Sequence, residues 1–298
     1  MKTSINYLPE QKRDDLRRIV ECVLEVLPDC EMIILYGSYA RNTYVDYDQR
    51  IEYGIRTCFM SDYDILVVTN TRFQRYIINH ILSKATDNYY KGKNRYASTT
   101  VQFIDESIDD LNKAIDKNRY FYTDIKREGI MLYNSGRYKL ARRRKLNYRE
   151  IKELAEEYYN DRFERANSFL RSARYSYKDQ DYKIASFHLH QACENYYNSI
   201  ILTFTLYSPK EHSLITLSGR AKTHSLESSE AFPRDTEEEK RLFDLLQDAY
   251  VQARYNLHFR VTKEDIEALI PKVELLRDIT RQCCEERIKV YAAKQRQV

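Results

Sequence analysis

Apolar positions in this chain fall in two patterns, helical spacing and short unbroken runs. Over residues 11–27 they fall at Leu16, Ile19, Val20, Val23, Leu24 and Leu27. That is the spacing of an amphipathic helix, and Pro28-Asp29 ends it. Residues 32–36 are a short unbroken apolar run, read as a strand, and 37–42 turn out of it. The stretch 43–60 is polar, tyrosine-rich and mixed in pattern, which predicts an inserted loop or hairpin. A buried strand follows over 62–69. Thr71 predicts an N-cap for a helix running to about Ala85, with Phe73, Tyr76, Ile77, Ile78, Ile81 and Leu82 inward. A third strand is expected over 98–104, helices over 108–116 and 120–127, and a last short strand over 130–133. Strands alternating with helices predict an α/β or α+β domain around a small mixed sheet of about four strands.

Beyond Tyr148 no convincing strand appears. Residues 148–177 carry apolar side chains at helical spacing, and 182–206 are apolar around most of the helix circumference. Such a helix belongs at the centre of a bundle. A short helix is expected near 214–221 and an amphipathic one over 237–253. Thr262 reads as the N-cap of a final helix through Ile266, Leu269, Val273, Leu276 and Ile279, with a kink or restart at Pro271. The expected layout is a mixed-sheet domain over 1–140 and an all-α bundle over 141–298.

Composition narrows the class. The chain has 298 residues, 32% charged and 43% hydrophobic, which fits a globular rather than a disordered protein. Its 27 tyrosines need not signal function, since a ring can be buried while its hydroxyl stays wet. Nothing approaches the length of a membrane span, and residues 1–10 lack the apolar core of a signal peptide. Six cysteines without a CxxC pair predict reduced thiols and a cytoplasmic location. A net charge of +4 admits an anionic substrate without arguing for nucleic acid. The basic run from Arg137 to Lys145 reads as a solvated linker or, alternatively, a positive wall facing phosphates.

The candidate chemistry lies where the first two strands meet their turns. Asp62 and Asp64 sit two residues apart, so on a strand both carboxylates point to one side. Paired carboxylates repel, and a hard cation such as Mg²⁺ relieves the repulsion, commonly with substrate phosphates completing its shell. Gly37 lets backbone approach a phosphate, Ser38 adds a hydroxyl and Arg41 a fixed positive charge. Turn chemistry alone can also put Asp at a strand start.

The Gly37-Ser38 and Asp62-Tyr63-Asp64 pair resembles the minimal nucleotidyltransferase branch of the polymerase-β-like superfamily, as does 121–133 at the end of the domain. The second half is similar to a HEPN helical domain through 182–194, Pro209-Lys-Glu-His212-Ser-Leu and 249–255. The order is broadly that of kanamycin-type nucleotidyltransferases. The resemblance implies transfer of a nucleotidyl group, AMP if the substrate is ATP, from a nucleoside triphosphate to an acceptor hydroxyl on a small molecule or protein. Asp62 and Asp64 would hold Mg²⁺, and Gly37 and Ser38 the terminal phosphates. Two departures stand out. The 43–60 segment lengthens the gap between the two motifs, and Gln102 stands where the family carries a third carboxylate. Asp105 and Glu106 are expected past the strand end. The alternative is a nucleotide-binding module without turnover, its helical half binding a partner or RNA.

Three features of the second half enter as candidates. HEPN ribonucleases resemble one another in an Arg, then four to six intervening residues, then His, whereas Arg254-Tyr-Asn-Leu-His258 has three residues between. His188 and His190 cannot share a helix face, so one is expected buried and the other facing a groove. Glu194, a carboxylate on an apolar helix, needs a partner. Arg254 is the expected one, and an acceptor-activating base is Glu194's functional alternative. Lys91-Gly-Lys93-Asn-Arg95 reads as a basic loop. A homodimer is expected by analogy.

Overall fold

A computed structural model describes residues 1–46, 48–52, 55–93, 98–142, 144–208 and 211–296, with the backbone alone over 48–52 and 55–59. Asn94 and Arg95 of the basic loop, Arg143 of the basic run, and Pro209 and Lys210 of the HEPN-like motif lie outside the described residues. Two compact units divide the chain, Met1–Lys145 and Leu146–Val298.

The first unit is a four-stranded sheet with helices on both faces. Helix α1 (Glu10–Val26) leads into β1 (Cys30–Tyr36) and the short α2 (Gly37–Arg41). A hairpin follows, β2 (Asp48–Glu52) paired antiparallel with β3 (Ile55–Phe59), so the mixed 43–60 pattern folds as a two-stranded sheet of its own. Then come β4 (Tyr63–Thr69), α3 (Arg75–Tyr90), β5 (Val101–Ser107), α4 (Ile108–Asp116), α5 (Tyr120–Glu128) and β6 (Ile130–Asn134). The strand order is β5-β4-β1-β6. β1 is antiparallel to β4 and β6, and β4 is parallel to β5.

Alternation along each strand sorts side chains to two cores. Ile33, Leu35, Tyr63, Ile65 and Val67 pack with Leu16, Ile19, Ile78 and Leu82 of α1 and α3. Met32, Ile34, Leu66 and Val68 pack with Ile108, Leu111, Ile115 and Ile125 of α4 and α5. The basic run is solvated, as expected of a linker: its described residues Arg137, Lys139, Arg142, Arg144 and Lys145 are all exposed, and two of them also form ion pairs. Arg137 pairs at 2.9 Å with Glu31, a fully buried carboxylate of β1, and Arg144 pairs at 2.8 Å with Asp116.

Two local expectations are corrected. The helix after β4 starts at Arg75, not after Thr71, because Gln74 is still extended. Its inward face is Ile78, Leu82, Ala85 and Tyr89, and Tyr76 and Ile77 are exposed. The third strand begins at Val101 and ends at Ser107, so Asp105 and Glu106 belong to it. The last helix shows no restart at Pro271.

The second unit is all helical. It comprises α6 (Tyr148–Lys178), α7 (Tyr182–Thr205), α8 (Leu214–Lys222), a single 3₁₀ turn (Leu226–Ser229), α9 (Glu237–Tyr255) and α10 (Lys263–Gln295). Capping boxes start α6 at Asn147, α9 at Thr236 and α10 at Thr262. Each satisfies backbone donors that a helix start leaves open. α7 is the central helix, buried over most of its length and packed against α6, α8, α9 and α10. Helix α10 is 33 residues long and runs through Pro271.

No helix among the described residues is long and apolar enough to cross a membrane. Cys22, Cys30, Cys193, Cys283 and Cys284 are free thiols.

Candidate functional site

The glycine after β1 and the Asp64 carboxylate within β4 come together because β1 and β4 are antiparallel. Their register sets Tyr36 opposite Asp64, which brings the Gly37 turn onto Asp64. Gly37 has φ +73°, a left-handed conformation that favours glycine. A Cβ placed there would overlap Asp64 Oδ2 and lie 2.8 Å from its Cγ. The backbone of the Gly-Ser turn is therefore laid directly against a carboxylate. Ser38 offers its hydroxyl with no hydrogen-bond partner among the described residues.

Asp62 stands just before β4. Its Oδ1 accepts from the Thr100 hydroxyl, and burial holds its carboxyl above the usual range. Burial and the neighbouring Asp64 carboxylate push the Tyr36 phenol up to about 12, so it stays a neutral donor at neutral pH. The parallel β4–β5 register puts Gln102 directly across from Asp64. The residue across from Asp64 is thus an amide, which does not ionise or serve as a base.

Asp105 and Glu106 cannot replace it, although both are on the strand. Asp105 is three residues past Gln102 and so faces the opposite side of the sheet. Glu106 returns to the Gln102 side, but four residues on, about 13 Å along the strand. Its Oε2 accepts from Tyr122 Oη at 2.5 Å.

Among the described residues, Ser38, Asp62 and Asp64 offer oxygen donors, the chemistry of a hard divalent cation such as Mg²⁺. Among the described residues no three His, Cys, Asp or Glu side chains converge on one metal position. Two carboxylates without a third leave most of a cation's shell to water or phosphate oxygens. Arg41 ends α2 and forms an ion pair with Glu128 of α5 at 3.7 Å, so an anion would have to compete for it.

In the second unit the structure pairs residues that sequence spacing does not connect. Glu194 of α7 is buried, and its partner is not Arg254. His212 Nδ1, in the segment before α8, lies 3.1 Å from Glu194 Oε1, and Gln191 Nε2 donates to Oε2 at 3.2 Å. With Nδ1 donating to the carboxylate, His212 keeps Nε2 as its acceptor. The rings of His212 and His190 each stack on Tyr250, with centroids 4.9 and 5.1 Å away. His190 is the buried histidine, pushed down to about 3 by burial and then by His212 and Arg254. His188 lies 3.3 Å from Ser176 Oγ.

Arg254 lies with its guanidinium 4.3 Å from the Tyr250 ring centroid and its Nε donating to the Tyr250 carbonyl at 2.7 Å. Helix α9 ends at Tyr255, so His258 lies beyond it and Arg254 and His258 share no helix face. The His258 backbone N–H donates to Asn256 Oδ1 at 2.8 Å. Glu194 and His212 both fall within motifs that suggested the HEPN likeness, but their contact joins α7 to a separate segment.

No curated protein matches this chain. Residues 159–283, within the second unit, match the family model of the HEPN domain, and the chain carries a HEPN domain there.

Proposed function

We propose that the first unit binds a nucleoside triphosphate with Mg²⁺ and transfers its nucleotidyl group to an acceptor hydroxyl. The observation that carries this reading is the contact between the Gly37 turn and Asp64. A backbone turn that only glycine tolerates, pressed on one carboxylate with a second two residues before it in the chain, suits a phosphate chain bridged to those carboxylates by a cation. In this reading Asp62 and Asp64 hold Mg²⁺, while Ser38 and the Gly37 backbone hold the terminal phosphates. The metal, when bound, neutralises charge on the attacking and leaving oxygens.

The experiment is Asp62→Asn combined with Asp64→Asn. Transfer of label from the α-phosphate of ATP is measured across a panel of hydroxyl acceptors, with pyrophosphate release as a second readout. The double variant is expected to lose both signals and the Mg²⁺ dependence of ATP binding. Transfer that persists unchanged refutes the proposal.

Gln102 favours a second reading, in which nucleotide is held without turnover. Calorimetric binding of Mg²⁺–ATP by the natural protein, with no pyrophosphate from any acceptor, selects it. The helical unit then serves as the recognition half, its Arg254, Tyr250 and Tyr255 suited to a partner or RNA.

A further inference from the structure

We infer that the carboxyl end of the β4–β5 pair is a second ligand site, built for a small zwitterion of the free α-amino acid class. β4 and β5 are parallel neighbours, and the chain leaves their ends in opposite directions. After β4 it enters α3, which packs on the α1 face of the sheet. After β5 it enters α4, which packs on the other face. Two parallel strands whose following helices diverge leave a crevice outside their carboxyl ends, and α/β sheets bind ligands in such crevices.

A cavity of about 620 Å³ lies there, lined by Arg72, Phe73, Gln74, Arg75, Asp105 and Glu106. That volume is within the range of small-molecule pockets, about 300–1,000 Å³. The lining is mostly polar and carries both signs of charge. Arg72, Arg75 and Asp105 make no hydrogen bond or ion pair among the described residues, whereas Glu106 is held by Tyr122 Oη. α3 starts at this cavity without a side-chain cap and without an acidic residue in its first turn, which adds positive potential on the Arg side.

The charges select the ligand class. A simple anion would meet Asp105 and Glu106, and a simple cation would meet Arg72 and Arg75. A ligand with a carboxylate and an ammonium group satisfies both, with Phe73 available to its apolar part. The site is separate from the nucleotide cleft. Asp64 and Gln102 lie near the amino ends of β4 and β5, and Thr69 and Ser107 lie at their carboxyl ends, about 16 Å further along. The inference is independent of nucleotidyl transfer.

The test uses the full chain and the twenty L-amino acids in pools at millimolar concentration, read by saturation-transfer NMR. The strongest binder is then titrated calorimetrically beside its amide and its N-acetyl form, with inorganic phosphate as a simple anion. Binding of the free amino acid is expected, weakened at least tenfold by either blocking group. Arg75→Ala and Asp105→Asn are expected to weaken it similarly, with circular dichroism unchanged. The Asp62→Asn, Asp64→Asn protein should bind the amino acid normally, which separates this site from the nucleotide reading. No binding of any amino acid overturns the inference. So does equal binding of the blocked forms, or phosphate that binds as tightly as the amino acid.

Discussion

Replacing Gly37 by alanine changes two things whose costs can be separated. The residue sits at φ +73°, where an L-residue costs about 1–2 kcal/mol. Its new Cβ would also overlap Asp64 Oδ2 and lie 2.8 Å from Cγ and 3.1 Å from Cβ. Asp64 must then leave its rotamer, at about 0.5–1.5 kcal/mol. Together these give about 1.5–3.5 kcal/mol.

Gly136→Ala is the internal control. Gly136 has φ +80° with nothing within 4 Å of an added Cβ, so it carries the backbone cost alone. Urea denaturation of both variants should show Gly37→Ala less stable than Gly136→Ala by about 0.5–1.5 kcal/mol. Adding Asp64→Ala should return most of that excess, because the overlapped atoms are gone, and the double-mutant cycle measures this coupling. Binding should suffer more than folding. A displaced Asp64 carboxylate is expected to weaken Mg²⁺–ATP by at least about tenfold, equivalent to about 1.4 kcal/mol, while Gly136→Ala binds normally. Equal stability of the two variants, or full Mg²⁺–ATP affinity in Gly37→Ala, refutes the reasoning.

Two further predictions follow from the register and from burial. Gln102→Glu places a carboxylate across from Asp64 and, on the proposed function, should raise pyrophosphate release, with about 10²–10⁴-fold as the ceiling for a positioned base; an unchanged rate would mean that this position does not limit turnover. His190 titrates at about 3 in the folded protein against 6.5 as its ordinary value, so the unfolded chain binds a proton that the native state refuses. Its contribution is complete above about pH 6.5 and is lost as pH falls toward 3, with a slope of up to about 1.4 kcal/mol per pH unit. His190→Phe should flatten the stability–pH profile in that window, and an identical profile would place the acid sensitivity elsewhere.

Legibility in the sequence followed the range of the interactions involved. Helix α4 was readable from its apolar spacing, and the start of α10 from the Thr262 capping signal, because those signals act over one or two turns. Gln74, extended just before α3, shows where local pattern misleads. Thr71 looks like a cap, but the chain does not turn helical until Arg75. Likewise α10 continues through Pro271, where a single-residue rule predicts a break. Glu194 needed a partner by burial alone, yet no spacing rule points to His212 rather than Arg254, since the contact joins residues of different elements.

What the sequence determined by itself were the helical spacings and apolar runs, and with them a small mixed sheet followed by a helical bundle, and the HEPN likeness. Tertiary structure decided which groups the candidate site residues meet. The antiparallel β1–β4 register lays Gly37 on Asp64, and the parallel β4–β5 register sets Gln102 beside it and carries Asp105 and Glu106 to the far end of the strand. The reason is physical. Hydrophobic period and capping arise from neighbours along the chain, whereas strand register is settled by packing both faces of the sheet at once.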